Sequence, residues 1–131
     1  MIVLDASALV DVLVSTDRAA WVLDVLNDEA IIAPAHQPAE VLSATGRLMR
    51  AGELDEEAWH AALVELDAFS QEPILPTLAH LEQARLLAPR VRLLDGLYVA
   101  LAQERSCSLV TTDARLARAD VPCHVLTPHT P

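Results

Sequence analysis

Short apolar runs alternate along the chain with longer stretches in which apolar residues recur at helical spacing. The runs are Ile2-Val3-Leu4, Ala30-Ile31-Ile32-Ala33, Ile74-Leu75, Ser108-Leu109-Val110-Thr111 and His124-Val125-Leu126. They are apolar throughout rather than alternating, as expected of strands covered on both faces. The stretches between them predict helices. Asp17 is placed to cap one whose Ala20, Val22, Leu23 and Leu26 face inward. A second opens near Pro34 and Pro38, carries Val41, Leu42, Ala44, Leu48 and Met49, and stops at Gly52. Asp55 caps a third, reaching about Ser70, with Glu56 and Glu57 in the first turn, where the helix dipole favours them. Thr77 caps a fourth that ends by Pro89, and Leu94, Leu97, Tyr98 and Leu101 mark the buried face of a fifth. Strands alternating with helices predict an α/β fold with a mostly parallel sheet. No repeat or linker interrupts the pattern, so residues 1–131 are expected to form a single domain.

Acidic residues fall at the junctions of these elements. Asp5 follows the first strand and Asp113 the fourth, which puts both at the carboxyl edge, where open α/β sheets bind ligands. Glu40 lies in the first turn of the helix after the second strand and starts from the same edge. Asp95 opens an otherwise apolar helix. Singly, each is an ordinary cap or turn acid, Asp113 before Ala114-Arg115-Leu116 most plainly so. Together they can converge on one crevice, and like charges about 4 Å apart cost roughly 4 kcal/mol at an effective dielectric of about 20. Such a cluster needs a cation or shared protons. Oxygen donors without His or Cys nearby favour a hard ion, Mg²⁺ or Mn²⁺.

The same residues carry a resemblance. Asp5-Ala6-Ser7-Ala8-Leu9-Val10, Glu40-Val41-Leu42-Ser43-Ala44, Asp95-Gly96-Leu97-Tyr98-Val99-Ala100-Leu101-Ala102 and Thr111-Thr112-Asp113-Ala114-Arg115-Leu116 resemble, in that order, the motifs of PIN domains. More narrowly they are similar to the VapC toxins of bacterial toxin–antitoxin pairs, over residues 1 to about 126. The resemblance implies a three-layer α/β/α sandwich and a metal-dependent endoribonuclease using Mg²⁺ or Mn²⁺. It also implies an antitoxin partner and a homodimer. Asp5, Glu40, Asp95 and Asp113 stand at the family's acidic positions, and Ser7 and Thr111 where small hydroxyl residues support the site. Leu94 and Gly96 depart from the Tyr and Ala that often flank the third acid. Glycine there costs roughly 1 kcal/mol relative to alanine, which implies local mobility of Asp95. Thr112 replaces a commoner alanine and is assigned no role.

Other chemistries compete. His36, four residues before Glu40, offers a metal-independent general base if it faces the crevice, whereas its Pro34/Pro38 setting favours a solvent-facing loop residue. A catalytically weak acidic module that binds a basic peptide is the non-enzymatic alternative. An Asp-nucleophile phosphatase fits less well, because Ala6-Ser7 rather than a second acid follows Asp5. Three glycines in the chain exclude a phosphate-binding glycine loop, and 3% aromatics argue against a base-stacking platform. Trp21, Trp59, Phe69 and Tyr98 are read as packing or interface residues, and His60, His80, His124 and His129 as surface or incidental.

Charge at first argues against nucleic acid: 9 Arg, no Lys and 19 acids give −10 over 131 residues. Its distribution changes that picture. Residues 51–84 hold eight acids and no Arg, which leaves −2 for the rest of the chain. Setting aside the four acids of the crevice, the remainder is +2, with Arg47, Arg50, Arg90, Arg92, Arg115 and Arg118 as candidate RNA contacts. Cys107 and Cys123 lack CxxC spacing and are expected to be reduced, buried thiols. No apolar run approaches the roughly 20 residues that span a bilayer, and the first residues lack the basic head of a signal peptide. A cytoplasmic protein without a membrane partner is expected.

Overall fold

The computed structural model describes residues 1–129. In chain order the elements are β1 (Ile2–Leu4), α1 (Ala6–Leu13), α2 (Ala19–Leu26), β2 (Ile31–Pro34), α3 (Gln37–Arg50), α4 (Glu56–Ala68), β3 (Glu72–Ile74), α5 (Leu78–Leu87), α6 (Leu93–Arg105), β4 (Ser108–Val110), α7 (Ala114–Arg118) and β5 (Val125–Leu126). The five strands are all parallel, in the order β3-β2-β1-β4-β5. Leaving β1 the chain steps outward to β2 and β3, then returns across the sheet to β4 and β5. Right-handed crossovers therefore place α1 to α4 on one face and α5 to α7 on the other. Packing agrees, with α1 against α2, α3 and α4, and α5 against α6.

β1 is central and fully buried, so its Ile2-Val3-Leu4 must be apolar on both faces. Its register with β4 sets Val3 beside Leu109 and Leu4 beside Val110. α6 is the most enclosed helix, buried continuously from Asp95 to Ala102, with Tyr98, Val99 and Leu101 inaccessible to solvent or nearly so. Burying such side chains is worth about 1.5–3 kcal/mol each, which makes α6 a fixed platform for its first turn.

Several expectations are corrected. The eight-residue α1 occupies a stretch for which the apolar pattern predicts no element, because two turns that follow an apolar strand after a single residue, Asp5, are too short to declare a helical stripe. Asp17 caps nothing; Arg18 stands at the cap position of α2, and Ala20 and Leu23 are exposed. The turn is fixed by buried Asp11, which accepts from Thr16 Oγ1 at 2.8 Å and Arg18 Nε at 3.1 Å. β3 begins earlier than expected and leaves Leu75 exposed. Its Pro73 is tolerated because β3 is an edge strand. Leu94 is 48% exposed instead of packed. His80 is buried rather than incidental: it completes a capping box with Thr77, and its Nε2 lies 2.9 Å from Glu104. Cys107 and Cys123 are free but only partly buried.

Candidate active site

The sheet's direction of progression reverses at β1, with β2 on one side and β4 on the other. The carboxyl ends of β1 and β4 consequently open into a crevice between helices that leave in different directions. Asp5 is the first residue past β1, and its amide still donates to the Val110 carbonyl at 2.9 Å. Its carboxylate does not cap α1. Instead Oδ2 accepts from Ser7 Oγ at 2.5 Å and from Thr111 Oγ1 at 2.7 Å. Each hydroxyl in turn accepts an amide from the loop after β4: Thr112 donates to Ser7 at 3.2 Å and Asp113 to Thr111 at 3.0 Å. Two relays thus run from that loop to one buried oxygen. Burial pushes the Asp5 carboxyl from 3.8 up to about 6 against the pull of both hydroxyls, and the charges of Asp95 and Glu40 add to the rise.

Glu40 is held from below by α6. The Tyr98 hydroxyl donates to its Oε1 at 2.9 Å, and His36 Nε2 stands 2.7 Å from the same oxygen without hydrogen-bond alignment. The His36 ring meets Tyr98 edge-on with centroids 5.1 Å apart. Burial works to raise the Glu40 carboxyl, but His36, Tyr98 and Arg92 outweigh it and hold the group below its ordinary value. Burial and the nearby carboxylates push Tyr98 upward, so its oxygen remains a donor.

Asp95 lies in the first turn of α6 and is 6% exposed. Arg92, at the cap position of the same helix, donates from Nε to Asp95 Oδ2 at 2.9 Å and from Nη2 to Asp113 Oδ2 at 3.2 Å. Burial raises the Asp95 carboxyl, Arg92 opposes this, and Glu40 and Asp113 reinforce it. Asp113 caps α7 by accepting the Arg115 amide at 2.8 Å on Oδ1. Gly96 in this turn has a packing role. A Cβ added there would stand 3.0 Å from Ala84 Cα, so the glycine lets α5 and α6 approach closely.

Asp5, Glu40 and Asp95 therefore sit within electrostatic reach of one another, Asp113 joins them through Asp95 and Arg92, and Ser7 and Thr111 complete the group. As the side chains stand, no group of three His, Cys, Asp or Glu among the described residues is arranged to hold a metal ion. Arg92 engages Asp95 and Asp113 instead. The donor chemistry nevertheless suits a hard cation, being all carboxylate and hydroxyl oxygen, and a guanidinium already bridges two of the acids.

Three clefts of about 330, 540 and 360 Å³ radiate from this centre, containing Asp95, Asp113 and Glu40 respectively. Each pair of clefts shares one arginine: Arg92 borders the first and third, Arg115 the first and second, and Arg47 the second and third. Arg90 lines the first, while Arg50 and Arg118 line none of the three. His36, expected in a solvent-facing loop, and Tyr98, expected only to pack, both touch Glu40. The i, i+4 spacing of His36 and Glu40 was the available signal. Thr112, assigned no role, supplies its amide to Ser7.

The sequence profile of the PIN domain matches residues 2–122. Ribonuclease VapC3 of Mycobacterium tuberculosis is 45% identical over 130 residues, covering 95% of this chain and 91% of that protein. Ribonuclease VapC12 of the same organism is 35% identical over 121 residues, covering 91% and 92%. Among solved structures, a chain of VapBC2 from Rickettsia felis, crystallised bound to a DNA fragment from their promoter, superposes with a TM-score of 0.68. It is 17% identical, and the match covers 98% of this chain and 100% of that one. By profile, by identity over nearly its whole length and by fold, the chain belongs to the PIN-domain family, among the VapC ribonucleases.

Proposed function

We propose that this protein is an endoribonuclease dependent on Mg²⁺ or Mn²⁺ and the toxin of a toxin–antitoxin pair, with residues 1–131 acting as one PIN-like domain. The observation that carries the reading is the buried Asp5 carboxylate, fixed by two hydroxyls and facing the charges of Asp95 and Glu40. A cation is the natural complement of such an acid. Asp5, Asp95 and Asp113 would hold the ion, and Glu40 would hold a second or orient the attacking water. When bound, the metal lowers the pKa of water and neutralises charge on the phosphate oxygens.

The chain's own residues do the rest. Ser7 and Thr111 fix Asp5 in one rotamer, and Tyr98 and His36 fix Glu40. Arg47, Arg92 and Arg115, on the ridges between the clefts, contact backbone phosphates either side of the cut, with Arg90 further along the first cleft. Arg50 and Arg118 are solvated surface charges in this reading.

The test is cleavage of cellular RNA by wild type, Asp5→Asn and Asp95→Asn, with Mg²⁺ and with EDTA. Cleavage that survives chelation and both substitutions overturns the metal mechanism. An antitoxin partner is supported by likeness to the VapBC2 chain, and co-purification with the product of the adjacent reading frame checks it. For the homodimer, exposed Leu78, Leu81 and Leu86 on α5 offer an apolar strip, and sedimentation of the purified chain measures it. Among the described residues no helix is long and apolar enough to cross a membrane, and a cytoplasmic location is part of the proposal.

A further inference from the structure

We propose that Arg92 is a built-in counter-cation of the carboxylate cluster, which a divalent ion must displace in order to bind. The inference rests on the metal-dependent reading above and goes beyond it, since it concerns what holds the acids together before metal arrives.

Arg92 uses two arms of its guanidinium on two different acids: Nε on Asp95 Oδ2 at 2.9 Å and Nη2 on Asp113 Oδ2 at 3.2 Å. Glu40 also feels its charge. One side chain thus faces three of the four acids. Exposed ion pairs usually contribute little, because water solvates both partners. This pair differs on the acid side, where the Asp95 side chain is 9% exposed and that of Asp113 17%. Their oxygens have little water to replace the guanidinium, and losing it would leave two acids repelling each other across the crevice mouth.

The Arg92 side chain is itself 62% exposed. It is held by its two charged bonds rather than by packing, and its flexible stem can swing out without disturbing the core. A divalent ion brings two charges to the same oxygens in a smaller volume, so the two cations exclude each other. The displaced guanidinium remains tethered on the ridge between the cleft containing Asp95 and the cleft containing Glu40.

Mn²⁺ binding read by the electron spin resonance of the free ion tests this without reference to catalysis. Wild type, Arg92→Gln and Arg92→Lys are compared at one ionic strength, with folding checked by circular dichroism. Arg92→Gln is expected to bind Mn²⁺ about tenfold more tightly, as two charge-assisted bonds no longer compete. Arg92→Lys keeps the charge but cannot fork between two acids, and is expected to recover at least half of that gain on a logarithmic scale. In wild type the Arg92 Nε–H resonance should shift as Mg²⁺ is added. Equal or weaker Mn²⁺ binding by Arg92→Gln overturns the proposal. So does a gain in Arg92→Gln with none in Arg92→Lys, which would indicate a general field of charge, or an Nε–H resonance that stays put while the ion binds. Absence of Mn²⁺ binding in all three folded proteins overturns the metal-dependent function itself, and this proposal with it.

Discussion

The Thr111 hydroxyl donates to Asp5 Oδ2 at 2.7 Å while accepting the Asp113 amide at 3.0 Å, so one side chain joins the ends of the two central strands. Removing it takes one of two hydroxyl donors from a buried carboxylate oxygen, leaving Ser7 alone there, and strands the Asp113 amide. Thr111→Val, which keeps the shape, is expected to lose about 1–3 kcal/mol in urea unfolding and at least tenfold in RNA cleavage. Thr111→Ser should retain most of both.

Asp5 makes stability depend on pH in a definite direction. Its folded carboxyl titrates at about 6, above the ordinary 3.8. Below about pH 4 both folded and unfolded chains keep the proton, and stability is full. Between about 4 and about 6 the unfolded chain gives up the proton first, so the metal-free fold loses stability as pH rises, by about 3 kcal/mol for a shift near two units. Asp5→Asn should therefore be more stable than wild type at pH 7.5 in EDTA, with the difference shrinking toward pH 4. Parallel profiles for the two proteins would refute the assignment.

Tyr98 supports Glu40 through a single oxygen. In Tyr98→Phe the ring still fills its place in α6, and the expected stability cost is only about 1 kcal/mol. Glu40 loses its aligned donor and becomes free to turn, so single-turnover cleavage should fall by more than the melting temperature suggests. Equal activity in wild type and Tyr98→Phe would show that Glu40 needs no such support.

At Gly96 two effects of opposite sign compete. Alanine improves helix propensity by roughly 1 kcal/mol. Its Cβ would stand 3.0 Å from Ala84 Cα and 3.1 Å from Ala84 Cβ, so α5 and α6 would have to part along a tightly packed seam. Overpacking of that kind costs about 1–3 kcal/mol, and net destabilisation is expected in thermal melts of Gly96→Ala.

The arginines should sort by position. Arg47→Ala and Arg115→Ala are expected to weaken RNA binding and to lower its salt dependence by about one ion each, whereas Arg50→Ala and Arg118→Ala should change neither. Fluorescence titration of a catalytically dead Asp5→Asn background at several salt concentrations measures both quantities.

The legible parts of this molecule are those written in local spacing. Helix α3 carried prolines at its start and a stop at Gly52, α4 and α5 their caps at Asp55 and Thr77, and α6 a recurring apolar stripe, while each acid of the site stood at a strand end or in a first helical turn. Helix α1 was hidden because two turns set directly after an apolar strand are too short to establish a period. His36 was misjudged because flanking prolines suggested a loop, while Tyr98 behind it turns its ring into a wall of the site. Arg92 was half legible: its i, i+3 spacing to Asp95 is a recognisable helical pair, but its second arm reaches an acid 21 positions away, at the start of α7. Tertiary partners at that separation leave no mark on neighbouring residues.

The three-residue β1, apolar on both faces, has a further consequence. A strand whose every position suits either side of the sheet says little about which residue should pair with which. Sliding β1 one place along β4 would leave the apolar burial nearly unchanged, yet would turn Asp5 through the sheet and away from Ser7 and Thr111. The carboxylate that burdens the fold at neutral pH is therefore also its alignment mark: only the native pairing lets that charge meet its two hydroxyls.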